Sequence, residues 1–285
     1  MIGLLSVPYH LGRHGVGMGA GPDRMLTAGA EQVLADLGHQ VTADEVSLSG
    51  TFEHEIGAHF KLQADLAAQV RRTTADRAFP VVLAGNCSSV LGVVAGLRLG
   101  QRGGVIWFDA HGDANTPETT TSGFLDGMPV AALTGRCWTA IASAIPGFIP
   151  LADDHVVLAG VRDIDDDERA LLDSSQIAVV SPAKLTDGAP FAEAVSALAT
   201  RVDSVHVHID LDVIDLADGH ANEFAAAGGP SLDALDAAIA QIGEHCEVNS
   251  VSLTSYNPSV DQDGRALQSG MRLLRTLGTL APTTH

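Results

Sequence analysis

The sequence predicts an α/β protein of three layers (αβα), a mostly parallel sheet with helices on both faces. Two observations carry this expectation. Short apolar runs alternate with longer stretches of helical periodicity along the whole chain, the pattern of repeated strand and helix crossovers. Acidic residues also cluster at the ends of two of the apolar runs, and in parallel sheets ligands collect beyond the carboxyl ends of the strands.

Taken in order, residues 20–37 have a helical pattern and residues 81–83 give the first expected strand. A helix over 89–99 leads to a strand over 104–108, in which Trp107 is a core residue. Strands follow at 156–159, 177–180, 205–211 and 248–253, each rich in Val, Ile or Leu as buried strands are. Between them lie helices at 166–172, 190–201 and 231–243. The acidic stretch from Asp163 to Glu168 suits the start of the 166–172 helix, with Asp165 or Asp166 as N-cap, because carboxylates favour the positive end of the helix dipole. Residues 281–285 read as a frayed tail.

With 285 residues and 46% hydrophobic content, the chain can bury a large core, and no linker divides it, so one domain over 1–285 is expected. A net charge of −19 argues against nucleic acid or an anionic membrane as partner, since both require basic surface. Three cysteines do not make a disulfide framework. The N-terminus lacks the basic region and long apolar core of a signal peptide, and no apolar stretch reaches spanning length, so a cytoplasmic protein is expected.

The densest chemistry lies in Phe108-Asp109-Ala110-His111-Gly112-Asp113 and, later, His208-Ile209-Asp210-Leu211-Asp212. Residues two apart on an extended chain point to the same side, so Asp109, His111 and Asp113 converge, as do Asp210 and Asp212. Carboxylates gathered this closely repel one another unless they take up protons or bind a cation, and the arrangement reads as a binuclear metal site. Oxygen donors with one imidazole suit manganese. His206 and His208 precede the second acid pair on the same strand face. His206 lies too far from Asp210 to share a metal with it and is read as packed within the sheet, while His208 is a candidate for orienting a ligand carboxylate.

Further motifs surround these acids in order: Val7-Pro8-Tyr9, Gly15-Val16-Gly17-Met18-Gly19, Asn115-Thr116-Pro117, Ser122-Gly123, Gly127-Met128-Pro129, Gly160-Val161-Arg162-Asp163-Ile164-Asp165 and Tyr256-Asn257-Pro258. In these the sequence resembles the arginase and agmatinase (ureohydrolase) family, whose enzymes use two manganese ions to hydrolyse guanidino or related carbons. The resemblance implies one metal held by Cys87, Asp109, Asp113 and Asp210 and a second by His111, Asp109, Asp210 and Asp212. It places Asn115, Thr120, Ser122 and Asp165 where an amino-acid-like substrate is gripped, and family precedent implies a homotrimer or homohexamer.

Four positions depart from the family pattern. Cys87 stands where a histidine is usual; as a thiolate it favours zinc or iron more than an imidazole would, and otherwise it is a small buried thiol. Asp126 stands where a histidine protonates the leaving group, and serves as general acid if its pKa is raised, or else is a loop acid. Ser255 replaces a glutamate that pairs with the guanidinium, which argues against plain arginine as substrate. Phe124 also replaces a polar residue. The triplet Asn86-Cys87-Ser88, the run 111–120 and Arg162-Asp163-Ile164-Asp165 are similar to the branch that hydrolyses Nω-hydroxy-L-arginine, which likewise uses cysteine as a ligand.

The expected function is binuclear metal-dependent hydrolysis of a C–N bond in an amino-acid-derived guanidino, N-hydroxyguanidino, amidino or formimino substrate. Asp126, Asp113 and His111 are the candidate catalytic residues. The alternative is a catalytically reduced relative that serves as a regulatory or partner subunit.

Overall fold

The computed structural model describes residues 1–282. Eight strands form one sheet: β1 (Ile2–Val7), β2 (Val41–Glu45), β3 (Phe79–Ala84), β4 (Gly103–Phe108), β5 (Val156–Ala159), β6 (Ala178–Val180), β7 (Ser204–Asp210) and β8 (Val248–Thr254). Their spatial order is β2-β1-β3-β8-β7-β4-β5-β6, and every pairing in this sheet is parallel. A small antiparallel hairpin, Tyr9–His10 with Arg13–His14, stands apart from it.

Side chains alternate across the sheet and divide the core into two layers. On one face Ile106 and Phe108 of β4, Val207 and Ile209 of β7, and Val251 and Leu253 of β8 pack with Phe191, Leu235, Ile239 and Leu273 of three helices, Ala189–Ala199, Leu232–His245 and Arg265–Gly278. On the other face Val105 and Trp107 meet the helices Ser89–Leu97 and Pro129–Leu133, while Leu5, Val7 and Val82 meet Glu55–Ala75. This layer is interrupted at its centre. Where β7 and β8 lie between those apolar clusters, they present His206, His208, Ser250, Ser252 and Thr254, all buried.

That polar seam satisfies itself by hydrogen bonding, as buried polar groups must. His206 bonds Ser250 at 2.7 Å and Ser252 at 3.0 Å, and His208 bonds Ser252 at 2.8 Å and Thr254 at 3.4 Å. Burial pushes the His206 imidazole down to about 3, and burial together with His206 lowers His208 well below its usual range, so both rings are neutral. Trp107 stacks on His208 with ring centroids 3.8 Å apart.

The structure refines several expectations. The helix expected over 20–37 is two helices, Gly21–Thr27 and Ala30–Ala35, broken at Gly29, whose φ of 97° is a left-handed conformation that glycine adopts readily. Strands β1 and β2 and the long helices Glu55–Ala75 and Arg265–Gly278 add to the elements expected from sequence. The buried stripe of Glu55–Ala75 includes His59, Gln63 and Thr73, which dilutes its apolar periodicity. At the C-terminus Ala281 is buried rather than frayed and Pro282 is exposed, while residues 283–285 of the expected tail lie outside the described residues. Among the described residues no helix is long and apolar enough to cross a membrane.

The order of the central strands positions the site. Cys87 follows β3, Asp109 follows β4, Asp210 ends β7 and Ser255 follows β8, so four neighbouring strands deliver their carboxyl ends to one place.

Candidate metal centre

Two sets of donor atoms lie within 4.8 Å of one another: Cys87 with Asp109 and Asp210, and Asp109 with His111 and Asp212. Asp109 belongs to both. Asp113 is buried beside them with φ at 49° and lines the same cavity, but joins neither set at that distance.

The carboxylates of these two sets are held by neighbouring donors. Asp109 accepts the indole N–H of Trp107 at 2.9 Å and the amide of His111 at 2.7 Å. Asp210 accepts the Asp212 amide at 2.9 Å, and Asp212 accepts the Ala110 amide and the Asn222 side chain, each at 3.2 Å. Arg162 donates to six backbone carbonyls: Gly160, Asp212, Val213, Ile214, Ala226 and Ala227. A guanidinium has five N–H donors in a fixed fork, which suits it to pin several loops together.

Electrostatics show the strain of this clustering. Burial first, then the charges of Asp212 and Asp109, push the Asp210 carboxyl well above the usual range; Asp113 is raised by burial and by Asp109, Asp126 and Asp210. Burial also raises Asp109, with Asp212 adding to it. Asp212 is the exception: burial opposes its ionisation, yet His111 and the Ala110 and Asn222 donors hold it low. His111 is penalised by burial but is raised overall by Asp109 and Asp212. Cys87 is pushed well up by burial and by the surrounding aspartates. A divalent cation would relieve the raised Cys87, Asp109 and Asp210 together, since its ligands bind deprotonated.

Cys87 and Asp126 are linked. The Asp126 carboxylate accepts the Asn86 side chain at 2.5 Å, the Cys87 amide at 3.1 Å and the Ser88 amide at 2.9 Å, as well as the Ser88 hydroxyl. It thereby caps the turn that leads into the helix Ser89–Leu97, a favourable place for a carboxylate. Burial pushes Asp126 up to about 6 despite these donors. Cys87 sulfur lies 2.9 Å from Asp210 Oδ2, 3.1 Å from Thr254 Oγ1 and 3.2 Å from Ser255 Oγ.

A cavity of about 270 Å³ opens over these residues. His111, Asp113, Asp210 and Asp212 meet there with Asn115, Thr120, Ser122, Asp126, Asp165 and Ser255, so the residues expected to grip substrate do surround the donor cluster. Sequence reading missed four contributors. Glu168 turns inward from the acidic run, accepts the Ala114 amide at 2.7 Å and is raised by burial to about 7. Asn222 links Asp212 to the Ser255 carbonyl, and Thr254 contacts Cys87. Phe224 pairs with Phe124 at the cavity wall, with ring centroids 5.1 Å apart. Only the acid run offered a signal for these, and it did not say which acid turns in.

The sequence model of the Arginase family matches residues 1–279. The chain belongs to the arginase family. It is 31% identical over 291 residues to an arginase of Bacillus caldovelox, covering 97% of each chain. It is 32% identical over 286 residues to an arginase of Agrobacterium fabrum, covering 92% of this chain and 86% of that one. The solved structure of the Bacillus caldovelox arginase superposes with a TM-score of 0.88 at 28% identity, over 97% of both chains.

This arginase-family chain is a hydrolase of the class acting on C–N bonds in linear amidines. Its donor set fits a pair of divalent cations on chemical grounds: buried carboxylates that repel one another, one imidazole and a thiol, shared through Asp109.

Proposed function

We propose that this protein hydrolyses a C–N bond in an amino-acid-derived guanidino, N-hydroxyguanidino, amidino or formimino substrate, and that plain arginine is a poor substrate. The observation that supports this most is the pairing of two donor sets around Asp109 with a cavity that offers Ser255 and Phe124 in place of a carboxylate and a polar group.

Asp109, His111, Asp210 and Asp212, with Cys87 and Asp113, are the residues to hold two manganese ions; the softer sulfur also admits zinc or iron. When bound, such a pair supplies a Lewis acid and a water ionised near neutral pH. Asn115, Thr120 and Ser122 offer hydroxyl and amide groups to a substrate carboxylate, and Asp165 offers a charge to its ammonium. Phe124 and Phe224 give the cavity an apolar side against which a substituent on the reacting nitrogen would pack. Asp126 already accepts four hydrogen bonds, so its role is to fix Cys87 and Ser88, and the leaving nitrogen takes its proton from solvent.

The test is a panel of arginine, hydroxyarginine, agmatine, guanidinobutyrate and formiminoglutamate, assayed with manganese, zinc or iron for release of urea, hydroxyurea or ammonia. Turnover of another member of the panel well above that of arginine supports the proposal, and arginine as the best substrate overturns it. Absence of any bound metal or turnover favours a regulatory subunit.

A further inference from the structure

The surroundings of Cys87 sulfur contain more hydroxyl groups than a thiol requires, and counting protons assigns them. Each hydroxyl or thiol has one proton to donate. When protonated, the Cys87 thiol donates to Asp210 Oδ2 at 2.9 Å; as a deprotonated ligand the sulfur would only accept, so in either state it is free to accept from a hydroxyl. Thr254 Oγ1 donates to the Ile209 carbonyl at 3.2 Å. Ser255 Oγ then has two acceptors in reach, the sulfur at 3.2 Å and Thr254 Oγ1 at 3.4 Å. Sulfur is the larger atom and tolerates longer contacts, so the sulfur contact is the better made.

The backbone supports the same assignment. Ser255 has φ at 63°, a left-handed conformation that strains a non-glycine residue. Two hydrogen bonds hold it there: its amide donates to the Ala84 carbonyl at 3.2 Å, and Asn222 donates to its carbonyl at 3.0 Å. Ala84 ends the strand that leads to Cys87, and Asn222 also binds Asp212, so the strained residue is tied to both sides of the donor cluster. Its side chain is buried, with 2% of the residue exposed.

We infer that Ser255, at the wall of the cavity, is a positioning residue for Cys87, its hydroxyl donating to the sulfur and holding it against Asp210. This rests on the reading of Cys87 as a metal ligand. Thr254 has a supporting part: it is the end of the buried chain through His208, Ser252 and His206, and its proton is committed elsewhere. In this chain the cysteine and the serine are therefore one functional unit.

The full-length protein loaded with cobalt(II) tests this, read by the near-ultraviolet sulfur-to-cobalt charge-transfer band and by calorimetric cobalt affinity. Ser255→Gly suits the test because glycine adopts this φ without strain, so the hydroxyl is removed and the fold kept. Ser255→Ala provides a second variant without the hydroxyl. Both are expected to move the band to longer wavelength, since the sulfur lone pairs lose a hydrogen bond, and to weaken cobalt binding about tenfold. In a Cys87→Ser background the same Ser255→Gly change should alter affinity by less than about twofold, the mark of two residues acting together. A wild-type band that neither variant moves, with only KM altered, overturns the role of Ser255 alone. No band in the wild type overturns the ligand reading of Cys87 and this inference with it.

Discussion

Asp126 accepts both the amide N–H of Ser88, at 2.9 Å, and the Ser88 hydroxyl through one carboxylate oxygen. Its other oxygen holds Asn86 and the Cys87 amide, so a single buried acid fixes the whole turn that carries the cysteine. Asp126→Asn turns an acceptor into a donor against these N–H groups. It should lower stability by roughly 2 kcal/mol and reduce bound metal in parallel with kcat, measured by thermal unfolding and elemental analysis. Unchanged stability and metal content with a fall in kcat would instead make Asp126 the proton donor.

Glu168 gives the metal-free protein a signed pH dependence. An unfolded glutamate loses its proton near 4.5, whereas burial keeps Glu168 protonated to about 7. Between those values the folded chain binds more protons than the unfolded one, so this group's stabilising proton is lost as pH rises, at up to about 1.4 kcal/mol per pH unit. Glu168→Gln keeps the acceptor for Ala114 and removes the titration. The variant should be more stable than wild type at pH 8 and converge with it below pH 4.5, as followed by denaturant unfolding in chelator.

Asp210 should show opposite effects with and without metal. Its carboxyl is pushed well up by burial and by Asp212 and Asp109, so in chelator at pH 8 Asp210→Asn should raise the melting temperature. Wild type should gain about 2.7 kcal/mol when manganese is present at roughly a hundred times its dissociation constant, and the variant should gain almost none and have no activity. Equal manganese shifts in both proteins would remove Asp210 from the ligands.

Trp107 is a core residue with a polar task. Its indole N–H lies 2.9 Å from Asp109 Oδ2, deep in the sheet, and its ring stacks on His208. Trp107→Phe keeps the stacking surface but leaves a buried carboxylate oxygen short of a donor. A loss of about 1–3 kcal/mol in stability is expected, with weaker manganese binding by calorimetry. A variant that loses stability and binds manganese as wild type does would confine Trp107 to packing.

The parallel sheet and the acid-bearing strand ends were legible because they depend on local patterns: apolar runs, and acids two residues apart. What escaped depends on tertiary direction. Glu168 sits in a run of acids that suits a helix start, and nothing local distinguishes the one that turns toward Ala114. In β7 and β8, His206, His208, Ser250, Ser252 and Thr254 alternate with apolar residues as on a half-exposed strand, yet these are central strands covered on both faces. Sequence gives that alternation but not the lid above it. Ser255 was placed at the substrate by resemblance, whereas its contact with Cys87 required coordinates.

The strand order bears on how the molecule comes together. β8, near the end of the chain, lies between β3 and β7, so the middle of the sheet is open until the last strand arrives. Joining β3 to β8 closes a loop of well over a hundred residues, an entropic cost met late, after the flanking strand pairs have formed. A chain still emerging from the ribosome can pair β4 with β7 and so bring Asp109, His111 and Asp212 together, but no strand yet joins Asp210 to Cys87, and the facing edges of β3 and β7 are bare. The donor set that includes Cys87 is thereby completed late, and a cation held by it would report arrival of β8.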